Sequence, residues 1–189
     1  MDAIFTLPYS EYEVINILKK KLKNGCSFYI PTSRQQKGID FIIHNNKSNK
    51  HLRIQVKSSR AYVDEPRENK ENKIFYKYHL WFNNFVDRYE SENADYYVLF
   101  GLYPEYTSSK NIKSKRAFWK SVIFCFSERE MFDLLKSIKK TRNNKIDRFF
   151  DVSFDDPRQV FGSRGFNGDI DLSQFLLDKK LSEISKKLD

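Results

Sequence analysis

An α/β fold with a mixed central sheet flanked by helices is what this sequence predicts. Three observations carry the prediction: an amphipathic helical segment opens the chain, strand-like runs follow it, and a second amphipathic segment closes it. At 189 residues the chain suits one domain, 1–189, with a core over about 9–103 and a C-terminal extension over about 104–189.

The opening segment is Ser10 to Lys23, where Val14, Ile15, Leu18 and Leu22 follow helical spacing. Ser10 and Glu13 form a capping-box pattern, and Gly25 offers a C-terminal stop. Glu11 shares the apolar face of those four residues, where a carboxylate is costly unless something pairs with it. Strands are expected over Ser27–Thr32, Gly38–His44 and His51–Ser58, followed by an exposed charged loop, Arg60–Lys73. Lys73–Phe82 is aromatic and extended, and Asn83–Glu90 is a short helix. The continuous apolar run Tyr96–Leu102 reads as a buried central strand. Thereafter come a strand over Trp119–Phe126, a helix over Ser127–Lys139 with Ser127 and Glu130 as a capping box, a strand over Phe149–Phe154, and a helix over Ser173–Leu188. The core order is thus α-β-β-β-α-β with C-terminal additions.

Composition excludes several classes. Hydrophobic residues at 40% and aromatics at 16% are enough for a core, so wholesale disorder is out. No apolar run approaches the roughly 18 residues of a membrane span, and Met1–Pro8 lacks the features of an export signal. Cys26 and Cys125 form no CxxC, which argues against a disulfide scaffold or zinc ribbon and for a reducing cytoplasm. His44, His51 and His79 are too scattered to suggest a histidine metal site or nucleophile base. A net charge of +9 and lysine clusters such as Lys110–Lys120 favour a polyanionic partner, most simply nucleic acid. Lysine-rich solvated faces are the plainer reading of the same charge.

The informative segment is Gly38–Ile43, a polar turn over Asn45–Lys50, and Leu52–Ser59. Closed symmetrically as a hairpin, it pairs His44/His51, Ile43/Leu52, Ile42/Arg53, Phe41/Ile54, Asp40/Gln55 and Ile39/Val56. One face is then wholly apolar, and the other sets Asp40 beside Gln55 with Lys57 two residues on. A charged and a neutral oxygen donor suit a hard cation such as Mg²⁺, which keeps places for water and a phosphate oxygen. Such a cation polarises a phosphodiester and activates water, and Lys57 is placed to offset transition-state charge. The same three residues also suit the wet side of a half-exposed hairpin. Asp155-Asp156-Pro157 reads as a turn, and Gly162-Ser163-Arg164-Gly165 as a loop without the strand-to-helix setting of a phosphate cradle.

Asp40 followed by Gln55-x-Lys57 on the next strand resembles the PD-(D/E)XK nuclease superfamily, in a QxK variant. The family's proline-aspartate is Ile39-Asp40 here, and its acidic residue before x-Lys is Gln55. The resemblance spans Glu11 to Ser59 and extends to Tyr96–Leu102. It implies a restriction-endonuclease-like fold and a Mg²⁺- or Mn²⁺-dependent endonuclease acting on DNA, with Glu11, Asp40, Gln55 and Lys57 as catalytic residues. Glu11, Asp40 and Gln55 would hold the metal, Glu11 directly or through water from the first helix. Ser33, Arg34, Ser58, Arg60, Lys113, Lys115 and Arg116 become candidate nucleic-acid contacts. A homodimer, with two sites for two strands, is the expected assembly. Two other readings stay open: a non-catalytic DNA-binding module of the same fold, and a protein-interaction partner using Phe75–Phe85.

Overall fold

The computed structural model describes residues 8–22, 25–31, 38–63, 76–83, 93–106, 117–138 and 149–189. Helix α1 spans Tyr9–Lys21 and is followed by strands β1 (Cys26–Tyr29), β2 (Phe41–Asn45) and β3 (Lys50–Val63). Next come β4 (Tyr78–Asn83), β5 (Tyr96–Tyr106), β6 (Ala117–Ser127) and helix α2 (Glu128–Lys136). Strands β7 (Phe149–Phe154), β8 (Phe161–Gly162) and β9 (Ile170–Asp171) precede a 3₁₀ turn, Ser173–Phe175, and helix α3 (Leu177–Leu188). The fold is mixed α/β with a mostly antiparallel sheet. No described helix is long and apolar enough to cross a membrane.

Helix α1 departs from its expected start. Pro8 occupies the N-cap with no side-chain capping bond, the helix begins at Tyr9, and Ser10 is buried inside it. The capping box at α2 forms as expected: Glu130 N–H donates to Ser127 Oγ, and Ser127 N–H donates to Glu130 Oε2 at 2.8 Å. The C-terminal segment is split at Leu176, so the helix proper starts at Leu177 rather than Ser173. Of the expected loop Arg60–Lys73, residues 60–63 are strand and the rest lies outside the described residues, as does 84–90 of the expected short helix.

Strand β3 is the branch point of a nine-stranded sheet. On one side it pairs antiparallel with β2, and β2 pairs with β1. On the other it runs parallel to β5 from Ile54↔Tyr96 to Arg60↔Leu102, and β6 then adds antiparallel to β5. Past Arg60, β3 turns to pair with β4 at Ala61↔Leu80, which leads to β7, β8 and β9. Arg53 and Asp95 hold the start of the parallel pair, since Asp95 Oδ2 accepts from Arg53 N–H at 2.7 Å and Asp95 Oδ1 from Nη2 at 3.0 Å.

Alternation sorts the side chains of β3, β5 and β6 into two cores. Phe41, Ile54, Val56, Val98 and Phe100 pack under α1 and α3. Leu99, Phe124 and Phe126 pack with Leu80, Phe150 and Val152 of the second half of the sheet and with Met131 and Leu134 of α2. Elements after residue 103 therefore contribute to both cores. Lys180 of α3 is buried and its ammonium is 2.7 Å from Glu130 Oε1 at the cap of α2, with Glu183 as a second partner.

The two halves of the sheet meet most closely at Gly101, where a Cβ would stand 2.3 Å from Leu80 Cδ1. Leu80 is fully buried, and all three nearest atoms to that Cβ belong to its side chain. Gly101→Ala is expected to lower stability by about 1–3 kcal/mol through overpacking. Urea denaturation checks this, and an unchanged midpoint would mean that Leu80 repacks freely.

Candidate functional site

The hairpin register found is His44↔His51, Ile43↔Leu52, Ile42↔Arg53 and Phe41↔Ile54, as the sequence predicts. The ladder stops one row short of the expected Asp40/Gln55 pair. Beyond it the Asp40 N–H donates to the Ile54 carbonyl at 2.9 Å. The Val56 N–H donates to Asp40 Oδ2 at 2.6 Å. A carboxylate oxygen thus takes the acceptor role that a strand carbonyl would have filled, and it fixes Asp40 against the backbone of β3. Gly38 makes the approach possible, with φ of +89° and its α-carbon so close to Asn93 that a Cβ would lie 2.9 Å from the Asn93 Cβ.

Burial pushes the Asp40 carboxyl above its ordinary value, and the Val56 N–H and the Lys57 ammonium only partly offset that push. The folded state therefore gains from a neutral Asp40 and loses that gain as pH rises through its elevated pKa. A cation bound at this oxygen would supply the missing charge compensation.

Gln55 and Lys57 alternate with Ile54 and Val56, and their register partners on β5 are Tyr97 and Leu99. They therefore lie on the sheet face of the second core, with Gln55 buried and Lys57 half-buried. Glu11 is half-buried in the first turn of α1, the helix that covers the face of Ile54 and Val56. Asp40, just before β2, meets β3 through the Val56 N–H and lies within the field of Lys57, with Gln55 two residues before Lys57 on the same face. Glu11 stands on the helix that covers the opposite face of β3. Ser58 and Arg60 are exposed and lie further along β3. Ser33, Arg34, Lys113, Lys115 and Arg116 lie outside the described residues.

Against known proteins, the chain matches no family model, no curated protein and no solved structure. Its chemistry has to be read from its own side chains. Among the described residues, no three His, Cys, Asp or Glu side chains group as a metal site. Asp40 with Gln55 offers one charged and one neutral oxygen, a donor set that fits a Mg²⁺ ion retaining most of its waters and does not fit a closed protein cage.

A buried polar cluster in the other half of the sheet is absent from the sequence reading. His79 Nδ1 lies 3.1 Å from Asp151 Oδ2 and 2.8 Å from Ser153 Oγ, while Nε2 lies 3.0 Å from the Tyr76 carbonyl. Asp151 Oδ1 accepts from Ser163 Oγ at 2.7 Å and from the Arg164 N–H at 2.9 Å. The carbonyl only accepts, so Nε2 carries a proton, and the Ser153 hydroxyl, which also lies 3.1 Å from Asp151 Oδ2, can serve Nδ1 as donor or acceptor. Burial raises the Asp151 carboxyl, but His79, the Arg164 N–H and Ser163 outweigh it and hold it below the usual carboxylate range. Asp and Ser approach the same ring nitrogen and the other faces a backbone carbonyl, unlike a hydrolase triad, in which the base bridges the two. The cluster clamps β4, β7 and the 163–166 loop together. Its trace in the sequence is alternation: Asp151 and Ser153 interleave with Phe150, Val152 and Phe154, as His79 does with Tyr78 and Leu80.

Proposed function

We propose that the chain is a metal-dependent nuclease of PD-(D/E)XK type with a restriction-endonuclease-like fold, hydrolysing DNA phosphodiester bonds. The observation that carries the proposal is a carboxylate fixed on the backbone of β3 by the Val56 N–H and within the field of Lys57. Asp40 and Gln55 would hold Mg²⁺ or Mn²⁺, and Glu11, expected from the resemblance as a third ligand, is left out of the set because its helix covers the opposite face of β3. The bound cation would supply polarisation of the scissile phosphate and an activated water. Lys57 would orient that water and offset charge growing on the phosphate oxygens. A homodimer would present two such sites to two strands.

Incubation with duplex, branched and single-stranded DNA, with and without Mg²⁺ or Mn²⁺, tests the proposal. Cation-dependent cleavage supports it, and salt-sensitive binding without cleavage favours the second reading, a non-catalytic DNA-binding module of this fold. What favours that second reading is Gln55, a neutral and buried residue where the family has a carboxylate.

Gln55 also gives a direct measurement of the metal site. Gln55→Glu adds a charge at nearly constant volume and is expected to tighten Mn²⁺ binding about tenfold or more. In both proteins the affinity should rise with pH until the elevated Asp40 carboxyl has lost its proton, because that proton competes with the cation. Calorimetric titration reads both effects, and no heat from either protein would remove the metal from the proposal.

A further inference from the structure

Tyr9 of helix α1 packs edge-on against Phe100 with ring centroids 6.1 Å apart, and Leu102 is still half-buried against the first core. From the Phe100 row onward, alternation places Ser58, Arg60 and Tyr62 of β3 on the same side as Leu102 and Tyr106 of β5. Trp119 of β6, paired with Pro104, joins them. The aromatic members are open to solvent: Tyr62 is 60%, Trp119 59% and Tyr106 49% exposed. Tyr106 pairs with Ala117, so Trp119 is its diagonal neighbour at about 7–8 Å. Each ring thus has room for its own stacking partner.

The face continues onto β4. Tyr62 pairs with His79, so Trp81 stands on the side of Arg60 and Tyr62, with the Arg164 guanidinium 4.8 Å from its ring. Among the described residues of β3, β5 and β6 beyond Phe100, this side carries no carboxylate, and Glu105 pairs with Phe118 on the opposite side. On β7 it carries Asp151, paired with Trp81 and buried against His79, Ser163 and the Arg164 N–H. An apolar protein partner would not call for guanidinium groups among the rings. Arginine and flat aromatic rings on an open sheet, in a chain of net charge +9, match the phosphates and base faces of an unpaired nucleic-acid strand.

We propose that this open face, centred on Trp119, Tyr106, Tyr62 and Arg60, is a base-stacking platform for single-stranded nucleic acid. It rests on the nucleic-acid reading above and adds to it a preference for substrates with unpaired bases. Duplex DNA keeps its bases stacked on one another and cannot offer them to the rings.

The test is binding of a fluorescently labelled oligothymidylate of about 20 nucleotides, and of a duplex of equal length, by the whole chain in EDTA. EDTA removes the metal, so the result does not depend on cleavage. The wild type is expected to bind the single strand in preference to the duplex. Trp119→Ala and Tyr62→Ala should each weaken single-strand binding roughly 5- to 150-fold. Arg60→Ala should lower the salt slope by about 0.7. All these side chains are exposed, and unchanged circular dichroism confirms that the variants fold. Absence of single-strand binding, equal binding of the duplex, or binding indifferent to both aromatic substitutions would each overturn the platform. Self-association in the absence of DNA that Trp119→Ala abolishes would assign the face to a second copy of the chain instead. Failure of the nuclease reading is seen separately, as absence of cation-dependent cleavage of duplex, branched and single-stranded DNA alike with single-strand binding intact.

Discussion

Lys57→Ala is expected to cut the DNA cleavage rate by about a hundredfold to a thousandfold, the usual loss when one preorganised charge-stabilising group is removed. Duplex affinity should change by less than about tenfold, because Lys57 is assigned to charge that develops in the transition state. Lys57 is half-buried on β3, one residue beyond the Val56 N–H that holds Asp40. Its position is therefore fixed by the same strand as the proposed metal ligand. Arginine should not restore the rate, since a broad planar fork replaces a compact point charge. Neutralising Lys113, Lys115 and Arg116 together provides the contrast: it should weaken binding and lower the salt slope by about 2–3. Single-turnover cleavage and anisotropy on the same DNA separate the two cases. Equal losses of binding in both variants would make Lys57 one phosphate contact among several.

What the sequence disclosed follows the range of the interactions involved. The β2–β3 register was legible because a one-residue slip would have moved Phe41, Ile43, Leu52 and Ile54 off the buried face. Tyr96–Leu102 was legible because a strand buried on both sides has no polar alternation, and Val98 and Leu99 do enter opposite cores. The two capping patterns are identical in spelling and differ in outcome. Ser127 is half-buried at the end of β6 and caps α2, whereas Ser10 is the second residue of α1, past the Pro8 cap, and is buried. Strand β3 beyond Arg60 was hidden because its partner β4 is supplied from a distant stretch of chain, and nothing local in Arg60–Val63 signals that pairing. In the site, alternation put Asp40, Gln55 and Lys57 on one hairpin. It did not show that the Asp40 side chain replaces a main-chain acceptor for Val56. The His79–Asp151 cluster was illegible for the reason β4 was: its members meet only across the long-range β4–β7 ladder.

That cluster carries the largest expected effect on stability. Asp151 is 2% exposed and receives His79 Nδ1 at 3.1 Å, Ser163 Oγ at 2.7 Å and the Arg164 N–H at 2.9 Å. Asp151→Ala would leave the His79 ring, the Ser153 and Ser163 hydroxyls and the Arg164 N–H without their shared acceptor. Removing one partner of a buried ion pair costs about 3–5 kcal/mol, a large fraction of a domain's stability. Asp151→Asn keeps an oxygen for Ser163 and Arg164 but loses the charge that faces His79, so its loss should be intermediate. The pH dependence gives an independent check. The native interactions hold the Asp151 carboxyl below its ordinary value, so its contribution is fully present above about pH 4 and is lost as pH falls through the lower native pKa. The stability gap between wild type and Asp151→Ala should therefore narrow under acid. Urea unfolding at a series of pH values measures it. A gap below 1 kcal/mol at neutral pH, or one that widens in acid, would show that β4 and β7 are held by the Leu80–Phe150–Val152 packing alone.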